Sequence, residues 1–159
     1  MTILFRSSTG TQQGVTLLEL VIVLVIMGIV AAIAAPSFRG MMDRSHLRGS
    51  ATDLIEAIRT GRADAVSYRG AVRLRQVDSA WSNGWELDYS VGNTGQQNRV
   101  FAPHQGVTVT TKGNVNEMRF RPNGTVNQSM TFVLCNNKNG RQIEVSLVGR
   151  VTNTEVTCP

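Results

Sequence analysis

Few side chains in this 159-residue sequence have the type and spacing to do chemistry. Glu19 stands immediately before Leu20–Ala35, sixteen residues with no charge and no strongly polar side chain. A carboxylate within a membrane span costs about 2.5–3.5 kcal/mol at the helix centre, so a Glu at the edge of such a run implies a function and a partner. A cut after Gly14 would supply one. The new amino group of Val15 would lie one helical turn from Glu19, or beside the Glu19 of a neighbouring copy in a bundle. Cys135 and Cys158 are an even pair with 22 residues between them. If the anchor holds the following domain outside the cytoplasm, a disulfide worth roughly 3 kcal/mol is the first reading. Free thiols and half a metal site are the alternatives.

The remaining candidates are weaker. His46 falls on a charged helical face and His104 in a Pro-Gly turn, and both read as solvated. Asp78, Glu86 and Asp88 alternate as on a solvated strand face. Lys138, Arg141 and Arg150 together read as a candidate phosphate-contacting patch for DNA, on a chain of net charge +5 whose 16 cations are all Arg except Lys112 and Lys138. No G-x-S-x-G, H-E-x-x-H or phosphate loop is present, and neither His has a catalytic neighbour in sequence. The expectation is a non-enzyme with no cofactor, no metal and no small-molecule substrate.

These residues need elements to hold them. The chain is 42% hydrophobic and 17% charged, which excludes a fully disordered protein. Thr16–Ala35 is twenty residues, about 30 Å as a helix, and matches a bilayer core. A cleaved secretory signal ending at Ala32-Ile33-Ala34 is the competing reading. Pro36 interrupts this helix without having to end it. Beyond it Leu47, Ala51, Leu54, Ile58, Gly61 and Ala65 recur at steps of four and three, with Ile55 and Val66 widening the stripe, so the helix is expected to reach Tyr68–Gly70. The period then becomes two. Strands are expected at 71–77, 84–91, 99–102, 107–111, 117–120, 130–135, 142–148 and 154–158, folding onto the helix stripe. Ser82-Asn83-Gly84, Asn93-Thr94-Gly95, Asn123-Gly124 and Asn139-Gly140 mark turns. Trp81 and Trp85 flank the first of these and are expected in the core. Asn123-Gly124-Thr125 and Asn127-Gln128-Ser129 match the glycosylation pattern, but Asn-Gly before a strand is more simply a hairpin turn.

Gly14-Val15-Thr16-Leu17-Leu18-Glu19, followed by the apolar helix with Gly28 and Pro36, resembles the class III signal of type IV pilins and type II secretion pseudopilins, with Val15 where that family usually has Phe. Trp81–Leu87, Phe120–Val126, Thr131–Cys135 and Ile143–Arg150 are similar to the GspH/FimT group of minor pilins and pseudopilins. The resemblance implies an α+β, type IV pilin-like fold: a long N-terminal helix, transmembrane in its first half, packed on a C-terminal antiparallel β-sheet domain. It divides the chain into a leader, 1–14, a transmembrane assembly helix, 15–36, the amphipathic half of that helix, 37–70, and a periplasmic sheet domain, 71–159. It implies cleavage after Gly14 by a prepilin peptidase, methylation of Val15 and filament assembly through Glu19. The partners are then other pilins or pseudopilins and the inner membrane, crossed once, with a cell-surface pilus as the destination. The function implied is a structural minor pilin of a type IV pilus. The H-type pseudopilin of a type II secretion system is the alternative. Some FimT-like pilins take up DNA through Gly-Arg-x-Arg; Gly149-Arg150-Val151-Thr152 keeps the first Arg and has Thr for the second.

Overall fold

The computed structural model describes residues 16–159. They form one α-helix, one short 3-10 helix (Ser90–Gly92) and eight strands, divided into two compact units between Arg39 and Gly40. Helix α1 is assigned from Leu17 to Ser67, Pro36 included, and ends just before the expected boundary. In the first unit its residues from Leu17 to Ile33 are all exposed. Seventeen helical residues span about 26 Å, the short end of what a bilayer core requires. Among the described residues no single helix is long and apolar enough by itself to cross a membrane; Leu17–Ile33 and Phe38–Ser67 have the length and apolar composition only together.

The second unit, Gly40–Pro159, holds every buried hydrophobic residue among those described, and so has a complete core of its own. Leu47, Ala51, Leu54, Ile58 and Ala65 are buried as the helical period requires. Ala57 joins them, Ile55 is only partly buried, and Val66 is exposed. Gly61 is a contact point, since a Cβ there would come within 2.7 Å of both Leu87 and Phe120. The strands make two antiparallel sheets. β1 (Val72–Val77), β2 (Ala80–Asp88), β3 (Arg99–Phe101) and β5 (Glu117–Phe120) are ordered β3-β2-β1-β5. β4 (Thr108–Thr111), β6 (Met130–Asn136), β7 (Asn139–Val145) and β8 (Val151–Thr157) are ordered β4-β6-β7-β8. Val72, Leu74, Leu87, Met118 and Phe120 from one sheet and Phe132, Leu134, Ile143 and Val145 from the other share the core with the helix stripe.

Two expected turns lie inside strands. Ser82-Asn83-Gly84 belongs to β2, and the β1–β2 hairpin turns instead on Asp78 and Ser79, both at positive φ, as a two-residue turn between strands of right-handed twist demands. The register jumps from Gln76↔Trp85 to Val77↔Ala80, leaving Trp81–Gly84 without partners on β1. This irregular segment serves the other sheet. The Ser82 hydroxyl accepts from the Val109 N–H at 2.9 Å and donates to its carbonyl at 3.1 Å, while Trp81 meets Phe132 edge-on at 4.9 Å. Asn139-Gly140 similarly begins β7, because the preceding turn is Asn137-Lys138. Both tryptophans are buried, as expected.

Candidate assembly site and basic surfaces

The first turn of α1 is organised by Thr16. Its hydroxyl accepts the Glu19 N–H at 3.2 Å, and its carbonyl accepts the Leu20 N–H at 3.2 Å. Thr16-x-x-Glu19 is thus an N-cap with an acidic residue in the first turn, where the exposed N–H groups favour negative charge. The Thr-x-x-Glu spacing is the sequence signal of this cap. The Glu19 side chain is exposed, and its carboxylate has no hydrogen bond or ion pair among the described residues. Gly14, Val15 and the leader at 1–14 lie outside those residues. A carboxylate and a run of exposed aliphatic side chains therefore share the start of one helix, and both need cover that this segment does not provide for itself.

Cys135 and Cys158 form a disulfide, with Cα atoms 6.0 Å apart, that ties β6 to the residue following β8. Gly140 lies beneath it; a Cβ there would come within 2.5 Å of the Cys158 sulfur. The chain end is thereby fastened across β7.

Lys138, Arg141 and Arg150 do not make one patch. Lys138 is in the β6–β7 turn and Arg150 lies beyond the other end of β7, whose seven residues separate them by about 20 Å. Arg141 sits across from Glu155 on β8, bonded to it at 2.7 Å and to Asn153 at 3.4 Å. Strand parity puts Arg141 on the face of Ile143 and Val145, toward the helix. There it lines a cleft with Arg44 and Arg48, while Arg150 lines a separate one with Arg59 and Arg62. The helix contributes most of the cations, which a search confined to the C-terminal segment could not find.

The histidines and carboxylates are more engaged than solvated faces would be. The rings of His46 and His104 stack at 6.0 Å, His104 Nε2 lies 3.0 Å from Asp53, and His46 Nδ1 lies 3.1 Å from the Gln105 carbonyl. With Ser50 accepting the His104 N–H at 2.8 Å, they pin the 102–106 loop to α1. Asp78 occupies a turn, whereas Asp88 is buried and paired with Arg73 at 2.5 Å, and Glu86 is paired with Arg75 at 2.6 Å. Burial alone would raise the Asp88 carboxyl; the Ser90 hydroxyl and N–H and the Arg73 guanidinium outweigh it and hold it at about 2. Burial and the Asp64 carboxylate raise the Tyr89 phenol, whose hydroxyl donates to Asp64 at 2.6 Å. Among the described residues no three His, Cys, Asp or Glu side chains gather as a metal site.

This architecture has counterparts. Residues 50–149 match the family described as Type II transport protein GspH, and residues 10–35 match the prokaryotic N-terminal methylation motif. No curated protein matches the chain. Two crystal structures of the type IV minor pilin FimU from Pseudomonas aeruginosa are similar to it. One has a TM-score of 0.61 at 24% identity over 72% of this chain and 92% of that one. The other has a TM-score of 0.58 at 26% identity over 68% and 92%. With the helix-then-sheets fold and the capped, apolar N-terminal segment, these matches establish that the chain belongs to the GspH family of minor pilins and pseudopilins, with a class III signal at its N-terminus.

Proposed function

We propose that this chain is a non-enzymatic minor pilin of a type IV pilus. The leader 1–14 is removed after Gly14 by a prepilin peptidase, and the new N-terminal Val15 is methylated. Residues 15–36 hold the subunit in the inner membrane as a single pass, 37–70 continue the helix, and 71–159 lie in the periplasm until assembly carries the subunit to a surface filament. The observation that carries this reading is the exposed aliphatic helix Leu17–Ile33 with, at its start, the Glu19 carboxylate, which has no partner among the described residues. In a bundle of such helices, packing replaces lipid contacts, and the amino terminus of a neighbour satisfies Glu19 where an unpaired charge would be costly. The similarity to FimU supports the pilus as the destination. Glu19→Ala is expected to fractionate with membranes as the parent does while failing to enter sheared filaments. Normal incorporation of that variant sinks the role given to Glu19.

The description of the matching family, a type II transport protein, favours a second reading as the H-type pseudopilin of a secretion system. Deletion separates the two: loss of piliation with normal protein secretion supports the pilus, and the reverse supports the secretion system. A contribution to DNA uptake is proposed only around Arg150, with Arg59 and Arg62 beside it. DNA retention that weakens with salt and with Arg150→Ala would support it; no shift at low salt removes it.

A further inference from the structure

The cleft lined by Arg44, Arg48 and Arg141 has a volume of about 320 Å³ and lies within the second unit. Arg44 and Arg48 are one turn apart on α1, and neither forms an ion pair or side-chain hydrogen bond among the described residues. Like charges at that spacing repel. The third guanidinium enters from β7 and is largely sheltered, with 18% side-chain exposure, held in place by Glu155 and Asn153. Leu47 and Val156 provide apolar lining. Three guanidinium groups lining one small recess match an anion with several oxygens. Arg44 and Arg48, with no side-chain partner among the described residues, can each donate two parallel hydrogen bonds to phosphate, while Arg141, held by Glu155 and Asn153, adds a fixed positive charge. The Glu155 carboxylate supplies one negative charge against three, so the recess retains an unmet positive excess.

The helical stripe that carries Arg44 and Arg48 begins with Met41, three residues before Arg44, and Met41 and Met42 are both exposed. An exposed thioether side chain beside cations is the pattern of a segment lying at a membrane interface, with apolar groups in the acyl boundary and arginines at the phosphates. We infer that the Arg44–Arg48–Arg141 cleft is a phosphate-binding site for the headgroup of an anionic phospholipid. It would dock the folded domain on the bilayer surface before assembly. The choice of a lipid as the source of the phosphate rests on the membrane-anchored reading above; the phosphate chemistry rests on the cleft alone.

The test uses residues 40–159, which carry the whole core among the described residues, and sedimentation with vesicles of phosphatidylcholine with and without phosphatidylglycerol as the anionic lipid. The Arg44→Gln/Arg48→Gln variant is expected to lose at least about tenfold in apparent affinity, since each basic residue near such a surface contributes on the order of 1 kcal/mol. Glu155→Gln should bind more tightly. Lys112→Gln/Arg121→Gln removes the same charge at two exposed positions outside the cleft and should change binding little. Equal losses in the two double variants would reduce the effect to net charge and overturn the site. Protection by inorganic phosphate with no gain from vesicles would overturn the headgroup assignment, as would a duplex DNA complex that depends on Arg44 and Arg48 in the absence of vesicle binding. Membrane fractionation of the full chain reports separately on the anchor, so the two readings can fail independently.

Discussion

Asp88 offers the sharpest test of how the sheet domain is held together. Its side chain is 3% exposed and faces Arg73 at 2.5 Å and Arg75 at 3.8 Å, with Ser90 donating from both its hydroxyl and its N–H; Glu117 shares Arg73 from β5 at 3.1 Å. Holding the carboxyl at about 2 against an ordinary value of 3.8 corresponds to about 2 kcal/mol of stability, at about 1.4 kcal/mol per tenfold change in proton affinity. The sign follows from the direction of the shift. A depressed carboxyl binds protons more weakly in the folded state than in the unfolded chain, so its contribution is complete above about pH 5 and disappears as the pH falls toward 2. Asp88→Asn in residues 40–159 should therefore be less stable than the parent by about 2–3 kcal/mol at pH 7, some of it from leaving Arg73 with Glu117 alone. The gap should shrink to under about 1 kcal/mol at pH 2.5. Urea unfolding of both proteins at several pH values measures it. A gap of the same size at both ends of the range would show that shape or neutral hydrogen bonds, not charge, carry the effect.

The other expectations concern the core and its fastenings. Reducing Cys135–Cys158, which encloses a sequence separation of 23, should cost about 3 kcal/mol by loop entropy and be read as a lower unfolding midpoint in reductant; an unchanged midpoint would show that the β7–β8 pairing alone holds the chain end. Gly61→Ala should destabilise by about 1–3 kcal/mol because a Cβ would press within 2.7 Å of Leu87 and Phe120, whereas Gly28→Ala, with nothing within 4 Å, should leave the melting temperature of the sheet domain unchanged. Tyr89→Phe removes the 2.6 Å bond to Asp64 and should cost about 1–3 kcal/mol; full stability in the variant would mean that water replaces the phenol.

What was legible in the sequence was periodic or local. The helix stripe, the strands at their approximate positions and the Thr16–Glu19 start depend on neighbours within a turn or a pleat, and the pattern of residue types records those directly. The cysteine pair was legible as an even pair whose first reading, in a domain expected outside the cytoplasm, is a disulfide. Tertiary structure decided what depends on register and parity. Asn83-Gly84 has turn chemistry, yet the Asp78-Ser79 pair makes the turn, and Trp81–Gly84 leave the β1 ladder to reach the second sheet. Asp88 and Glu86 alternate like solvated residues until β1 places Arg73 and Arg75 opposite them. Lys138, Arg141 and Arg150 are close in sequence but spread from one end of β7 to the other, because an extended strand of seven residues lies between the turns that hold Lys138 and Arg150. Only folding brings Arg141 to Arg44 and Arg48, nearly a hundred residues earlier in the chain, so the anion site is a property of packing that no local pattern contains.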